Sequence, residues 1–129
     1  VGYIRSNNSV TELQTTRTSG IFTNFKIVAL IDEDCPPGSA ILAEALRKYQ
    51  GAVLMGREIQ TDALVNHRDN IQGGDFIVFP HAELLTSDKT PFRLRKVAPD
   101  IIVPKEERLG GEAKDTFIER AVQYFSEGK

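Results

Sequence analysis

The residues with chemical potential gather just ahead of one segment. "DEDCPPGSA", 32–40, places a lone thiol, Cys35, and a hydroxyl, Ser39, on either side of two prolines. A cysteine close to a helix N-terminus is the kind a helix dipole can turn into a thiolate, with His67 or His81 then needed as a base. The competing reading is a small buried apolar residue, which is what a lone cysteine usually is. Ser39 falls within the expected first helical turn, where serine satisfies free backbone N–H groups. Its nearest lysine, Lys48, lies about three turns along the same helix and is out of reach as its base. Asp32, Glu33 and Asp34 form an acidic cluster that favours the start of the following helix. His67 and Asp69 of "NHRD" share one face of an expected strand, and with only two histidines they read as a polar hairpin face rather than a metal site. Isolated glycine pairs at 73–74 and 110–111 lack the strand–loop–helix setting of a phosphate cradle.

The elements that must hold these groups follow from periodicity. "KIVALI", 26–31, is a β-branched apolar run suited to a strand covered on both faces. A helix follows, with Pro36 or Pro37 in its first turn and a stripe of Ile41, Leu42, Ala45, Leu46 and Tyr49. "GAVLMG" is a short buried strand between glycines. "FIVFP" and "AELLTS" read as two further strands, with a turn at Gly73-Gly74 before them. "APDIIVP" is a last apolar run bounded by prolines. The opening "VGYIRSNNSVTELQTTR" reads as a polar hairpin turning at Asn7-Asn8. A closing helix carries Phe117, Ile118, Ala121, Val122 and Phe125 on one face, and Thr116 with Glu119 has capping-box spacing. The expected class is α/β, with a βαβ unit in the first half, a mixed sheet and two main helices.

Composition narrows the function classes. The chain has 129 residues, the size of one domain, with 40% hydrophobic and 26% charged residues. A net charge of -2 with interspersed signs excludes the basic stripe that a nucleic-acid backbone requires. The densest basic stretch, "RLRK" at 93–96, reads as a solvated loop or edge strand. No apolar run is long enough for a membrane span. A single cysteine excludes an internal disulfide and a cysteine metal cluster, and no cofactor is called for. Beginning at Val1 without a methionine or a signal-like segment, the chain is expected to be a piece or a processed product of a longer protein.

The order of segments resembles the carboxyl-terminal processing, or tail-specific, serine proteases, a family whose scaffold also serves non-proteolytic retinoid-binding repeats. The similarity runs from about Lys26 to Phe125, and "ALRKYQGAVLMG" and "APDIIV" are its most specific parts. "IVALID", a small-residue turn, "ILAEALRKYQ", "GAVLMG", "FIVFPHAELLTSD", "PDIIV" and "DTFIERAVQYF" stand in the family's order. The resemblance implies part of a crotonase/Clp-like ββα spiral core, its C-terminal half, with a serine nucleophile and a lysine base. Laid on that pattern without gaps, anchored at Gly56, the nucleophile position falls on Pro37. The lysine position falls on Asp62 and a supporting glutamine on Asn66, while "REIQTDA" replaces the family's "EPTFGKG"-like loop. Proline has no attacking atom, and aspartate cannot replace a neutral amine. Ser39 and Cys35 are the fallback nucleophiles.

The expected protein is therefore a non-catalytic member of the family. It would act on a peptide or protein partner held by strand addition, on the rest of its own parent chain, or on a second copy in a homo-oligomer. The alternative is an active serine endopeptidase whose groups come from an atypical arrangement or from chain outside this sequence, since the family's PDZ module and oxyanion loop are not in it. A purely structural subunit is the third class. By analogy with the family, the compartment would be periplasmic, extracellular or lumenal.

Overall fold

The computed structural model describes residues 2–14, 24–60, 62–94, 96–104 and 115–127. The α/β expectation holds, with the strands divided between two sheets. The first is parallel, in the order β3 (Val28–Ile31), β4 (Val53–Gly56), β7 (Ile101–Ile102). The second is antiparallel, in the order β2 (Ser9–Leu13), β1 (Gly2–Ser6), β6 (Phe76–Leu85), β5 (Leu64–Asn70). Asn7-Asn8 turns the β1–β2 hairpin as expected, and Gly73 and Gly74 sit in the β5–β6 turn with φ of 99 and 90°.

Helix α1 (Pro37–Gln50) makes the βαβ crossover between β3 and β4. Pro37 sits where a missing N–H costs nothing, with Pro36 as N-cap, and Gly51 closes the helix in the left-handed conformation at φ 64°. The helix buries only part of the expected stripe, with Ala45 and Leu46 half-buried. Ala40, Ile41 and Ala43 are buried, whereas Leu42 and Tyr49 are exposed at 59% and 54%. Two alanines let the helix backbone come close to the sheet, which turns the bulkier residues toward solvent.

The expected strands "FIVFP" and "AELLTS" are one ten-residue strand, β6, that runs straight through Pro80. A register shift makes this feasible: Val65 faces Ala82 and Asn66 faces Pro80, leaving His81 as the extra residue. A bulge is where a sheet tolerates proline. The core joins both sheets through Ile31, Leu54, Ile59, Ala63, Leu84, Phe92 and Val97, with α1 alongside. Paired backbone bonds between Ile59 and Val97, at 3.0 and 3.3 Å, tie the segment after β4 to the segment before β7.

Helix α2 (Thr116–Ser126) begins one residue earlier than a Thr116 cap would allow. Asp115 is the N-cap, and its Oδ1 accepts from the N–H of Phe117 at 3.0 Å and of Ile118 at 3.3 Å. The stronger capping residue takes the position, worth about 1 kcal/mol to the helix. The expected apolar face is only partly covered: Phe117 and Ala121 are half-buried, while Ile118, Val122 and Phe125 are exposed. No described helix is long and apolar enough to cross a membrane. The glycine pair at 110–111 lies outside the described residues.

Candidate functional site

The carboxyl ends of β3 and β4 open on one side of the parallel sheet, where α/β proteins usually place their chemistry. The turn from β3 into α1 forms the rim. Asp32 Oδ1 accepts from the N–H of Asp34 at 3.1 Å, the N–H of Cys35 donates to the Asp32 carbonyl at 3.3 Å, and that of Ser39 donates to the Pro36 carbonyl at 2.9 Å. Proline at N1 has no N–H to be capped, and the N-cap makes no side-chain bond. The capping expected of Ser39 is therefore replaced by backbone closure of the first turn.

Cys35 is half-buried, packs against the core, and accepts a hydrogen bond on Sγ from the Asp32 N–H at 3.4 Å. Burial is the main cause that pushes its thiol pKa above the ordinary value. The Asp32 and Asp34 carboxylates push the same way, against a smaller pull from a backbone hydrogen bond at Asp32. These surroundings oppose the thiolate that a helix N-terminus alone would favour. The imidazoles are occupied in the antiparallel sheet. His67 Nε2 lies 2.9 Å from Asp69 Oδ1, its ring meets Phe79 and His81 edge-on, and His81 Nδ1 lies 3.1 Å from the Val65 carbonyl. Iodoacetamide should therefore alkylate Cys35 slowly at neutral pH, with a rate that climbs only above the ordinary thiol range of about 8.5. Rapid alkylation near pH 7 with an acidic apparent pKa would contradict this.

The acidic cluster takes a role other than the helix start. Arg57, the first residue after β4, pairs with Glu33 and lies 4.0 Å from Asp32, and its guanidinium stacks 4.9 Å from the centre of the Phe117 ring. Arg57 thus links the rim, the end of β4 and α2 across the strand ends. Gly56 makes that approach feasible. It adopts φ 133°, and a Cβ there would collide with the Ile31 carbonyl oxygen and come within 3.1 Å of Phe117 Cε1. Neither the latch nor the seating of Phe117 was readable from local pattern. Its one trace in the sequence is a basic residue directly after an apolar strand, which many loops share.

The remaining candidate positions are dispersed along the chain. Asp62 is exposed in the segment before β5, where its Oδ1 accepts from the Leu64 N–H at 3.3 Å. Asn66 is exposed on β5, opposite Pro80. A serine–lysine hydrogen bond does occur, between Lys48 Nζ and Ser87 Oγ. It lies in an open cleft of about 310 Å³ lined by Glu44, Tyr49, Thr86 and Phe92 among others. Lys48 is exposed there, without the burial that makes lysine a base. Two residues of the "RLRK" stretch make ion pairs: Arg93 reaches Glu83 at 3.3 Å and Lys96 reaches Glu58 at 2.9 Å. Among the described residues, no group of three or more His, Cys, Asp or Glu side chains is placed to hold a metal.

Comparison with known families adds one result. The model of peptidase family S41 matches residues 1–103. None of the curated proteins matches the chain. The match takes in both sheets and α1, and so the whole frame around the strand ends. By that match the chain belongs to peptidase family S41, the carboxyl-terminal processing proteases.

Proposed function

We propose that this S41 domain holds a peptide or protein segment without cleaving it. The observation that carries the proposal is the start of α1. Pro36 and Pro37 occupy the N-cap and first helical position, and by the resemblance Pro37 stands at the nucleophile position of the family pattern. No atom of its side chain can attack a carbonyl. The thiol beside it is held in its protonated form, and the acid that stands for the lysine, Asp62, is solvent-exposed.

The backbone of the degenerate loop supports this placement. In the family's "EPTFGKG"-like loop a glycine follows the lysine. Ala63 follows Asp62 here, and it keeps a left-handed φ of 51° while fully buried. An alanine held in that region at a cost of about 1–2 kcal/mol is what a retained turn with altered side chains would leave. On this reading the two sheets form part of the family's ββα spiral core, and the segment is held by strand addition along an open sheet edge.

Incubation with fluorophore-tagged peptides tests the proposal, with polarisation reporting binding and intact mass reporting turnover. Saturable binding with peptides intact after prolonged incubation is expected. Steady cleavage that disappears in Ser39→Ala or Cys35→Ala would overturn it, and absence of any binding would overturn its binding half.

A further inference from the structure

The outer half of β6 stands apart from the rest of the antiparallel sheet. Strand β1 pairs with Ala82–Leu85 and then turns away at Asn7-Asn8. From Phe76 to His81 the edge of β6 that faces away from β5 therefore has no strand beside it among the described residues. The two-stranded ribbon that remains, Asn66–Asn70 against Phe76–Pro80, is apolar on both faces of its second strand. Phe76, Ile77, Val78 and Phe79 are exposed at 51, 51, 52 and 39%. Four consecutive half-exposed apolar residues on an open strand edge form a template for another strand.

We propose that this edge pairs antiparallel with the same edge of a second copy of this chain, about a two-fold axis at Val78. The open stretch is self-complementary in that register. Val78 faces its own counterpart, Ile77 faces the partner's Phe79, and Phe76 faces the partner's Pro80. Apolar meets apolar throughout, and no like charges stand opposite one another. The ends of the stretch offer groups that can hydrogen-bond. Asp75 comes alongside the partner's His81, and the two-fold repeats the contact at the other end. The partner's 72–75 turn then lies beside an open cleft of about 280 Å³ lined by Arg5, His81, Glu83 and Arg93 among others, in which Glu83 is paired with both arginines. The stretch also has the right limit: beyond His81, β1 already occupies the edge. The interface is isologous and closes at two copies rather than growing into a fibre. Pro80 offers no N–H, which trims the ladder at both ends and keeps the pairing reversible. This inference is independent of whether the domain is catalytic.

Sedimentation velocity across a dilution series tests it, on the chain as it stands and on Val78→Lys. The expected result is a dimer that dissociates on dilution, and a Val78→Lys variant whose dissociation constant rises by about tenfold or more, because two ammonium groups then face each other at the axis. Circular dichroism should be unchanged, since Val78 lies on the exposed ribbon, and any fall in thermal midpoint should vanish at dilutions where the unaltered chain is itself monomeric. A second measurement places the axis. In a Cys35→Ser background, Val78→Cys should form a disulfide with its own copy, because directly opposed strand residues meet bridging geometry. Val10→Cys, on the far strand β2, should not. A monomer at all concentrations would overturn the proposal, as would a dimer indifferent to Val78→Lys or one that fails to cross-link at 78.

Discussion

Replacing Gly56 by alanine is expected to destabilise the domain by about 3–5 kcal/mol, a large share of the total for a chain of this size. Two separate effects add. The φ of 133° lies in a region that residues with a Cβ rarely enter, and the new methyl group would meet the Ile31 carbonyl oxygen head-on. That carbonyl cannot yield easily, because it accepts the Arg57 N–H at 2.9 Å while the Gly56 carbonyl accepts from Val103 at 2.9 Å. Strands β3, β4 and the segment after β7 would have to part. The third contact, with Phe117, predicts that α2 detaches first. Urea denaturation followed by circular dichroism would measure the loss. A midpoint within experimental error of the unaltered chain would mean that strand ends and α2 are not packed as described.

Phe92→Ala is expected to cost a comparable 3–5 kcal/mol for a different reason. Phe92 is 2% exposed and belongs to the cluster that joins the two sheets. It is delivered by a short 3-10 turn, Phe92–Leu94, that follows the 86–90 turn. The 86–90 turn is closed by backbone bonds of 2.9 Å from Thr86 to Thr90 and 3.0 Å from Lys89 to Thr86. That rigid support leaves the cavity little chance to collapse. Leu42→Ala serves as the contrast: the side chain is mostly exposed on α1, so its removal should change stability by no more than about 0.5 kcal/mol. Equal effects of the two substitutions would place the core elsewhere.

Much of this fold was legible because local and global signals agree. The apolar run 28–31, the proline at the first position of α1 and the glycine after its end each point to the same βαβ unit. The departures have identifiable causes. Pro80 divides the pattern of β6 into two strands on paper, and only the bulge at His81, a matter of pairing with β5, restores one. Leu42 and Tyr49 look like core residues by period. Which stripe a helix buries depends on how closely its partner approaches, and Ala40 and Ala43 allow the close side. Asp115 takes the cap in place of Thr116 because its carboxylate is the stronger acceptor for the free N–H groups of the first turn.

The site was legible in a different way. Pro37, Asp62 and Asn66 come from the resemblance alone, through their spacing from Gly56, and their assignment to the family's positions belongs to the proposal. The fate of Cys35 needed three dimensions, because burial and two nearby carboxylates outweigh the helix end that favours a thiolate. Arg57 and Phe117 are sixty residues apart in sequence and meet only because Gly56 lets α2 come down onto the strand ends. No local spacing rule connects them.

The proposed absence of a nucleophile at the mouth of α1 is tested most directly by a fluorophosphonate probe read by intact mass, with an active tail-specific protease treated in parallel. The expected result is an unlabelled chain beside a fully labelled control. Stoichiometric labelling, mapped to a single hydroxyl and abolished by its substitution, would establish a working serine nucleophile and contradict the reading of a binding domain.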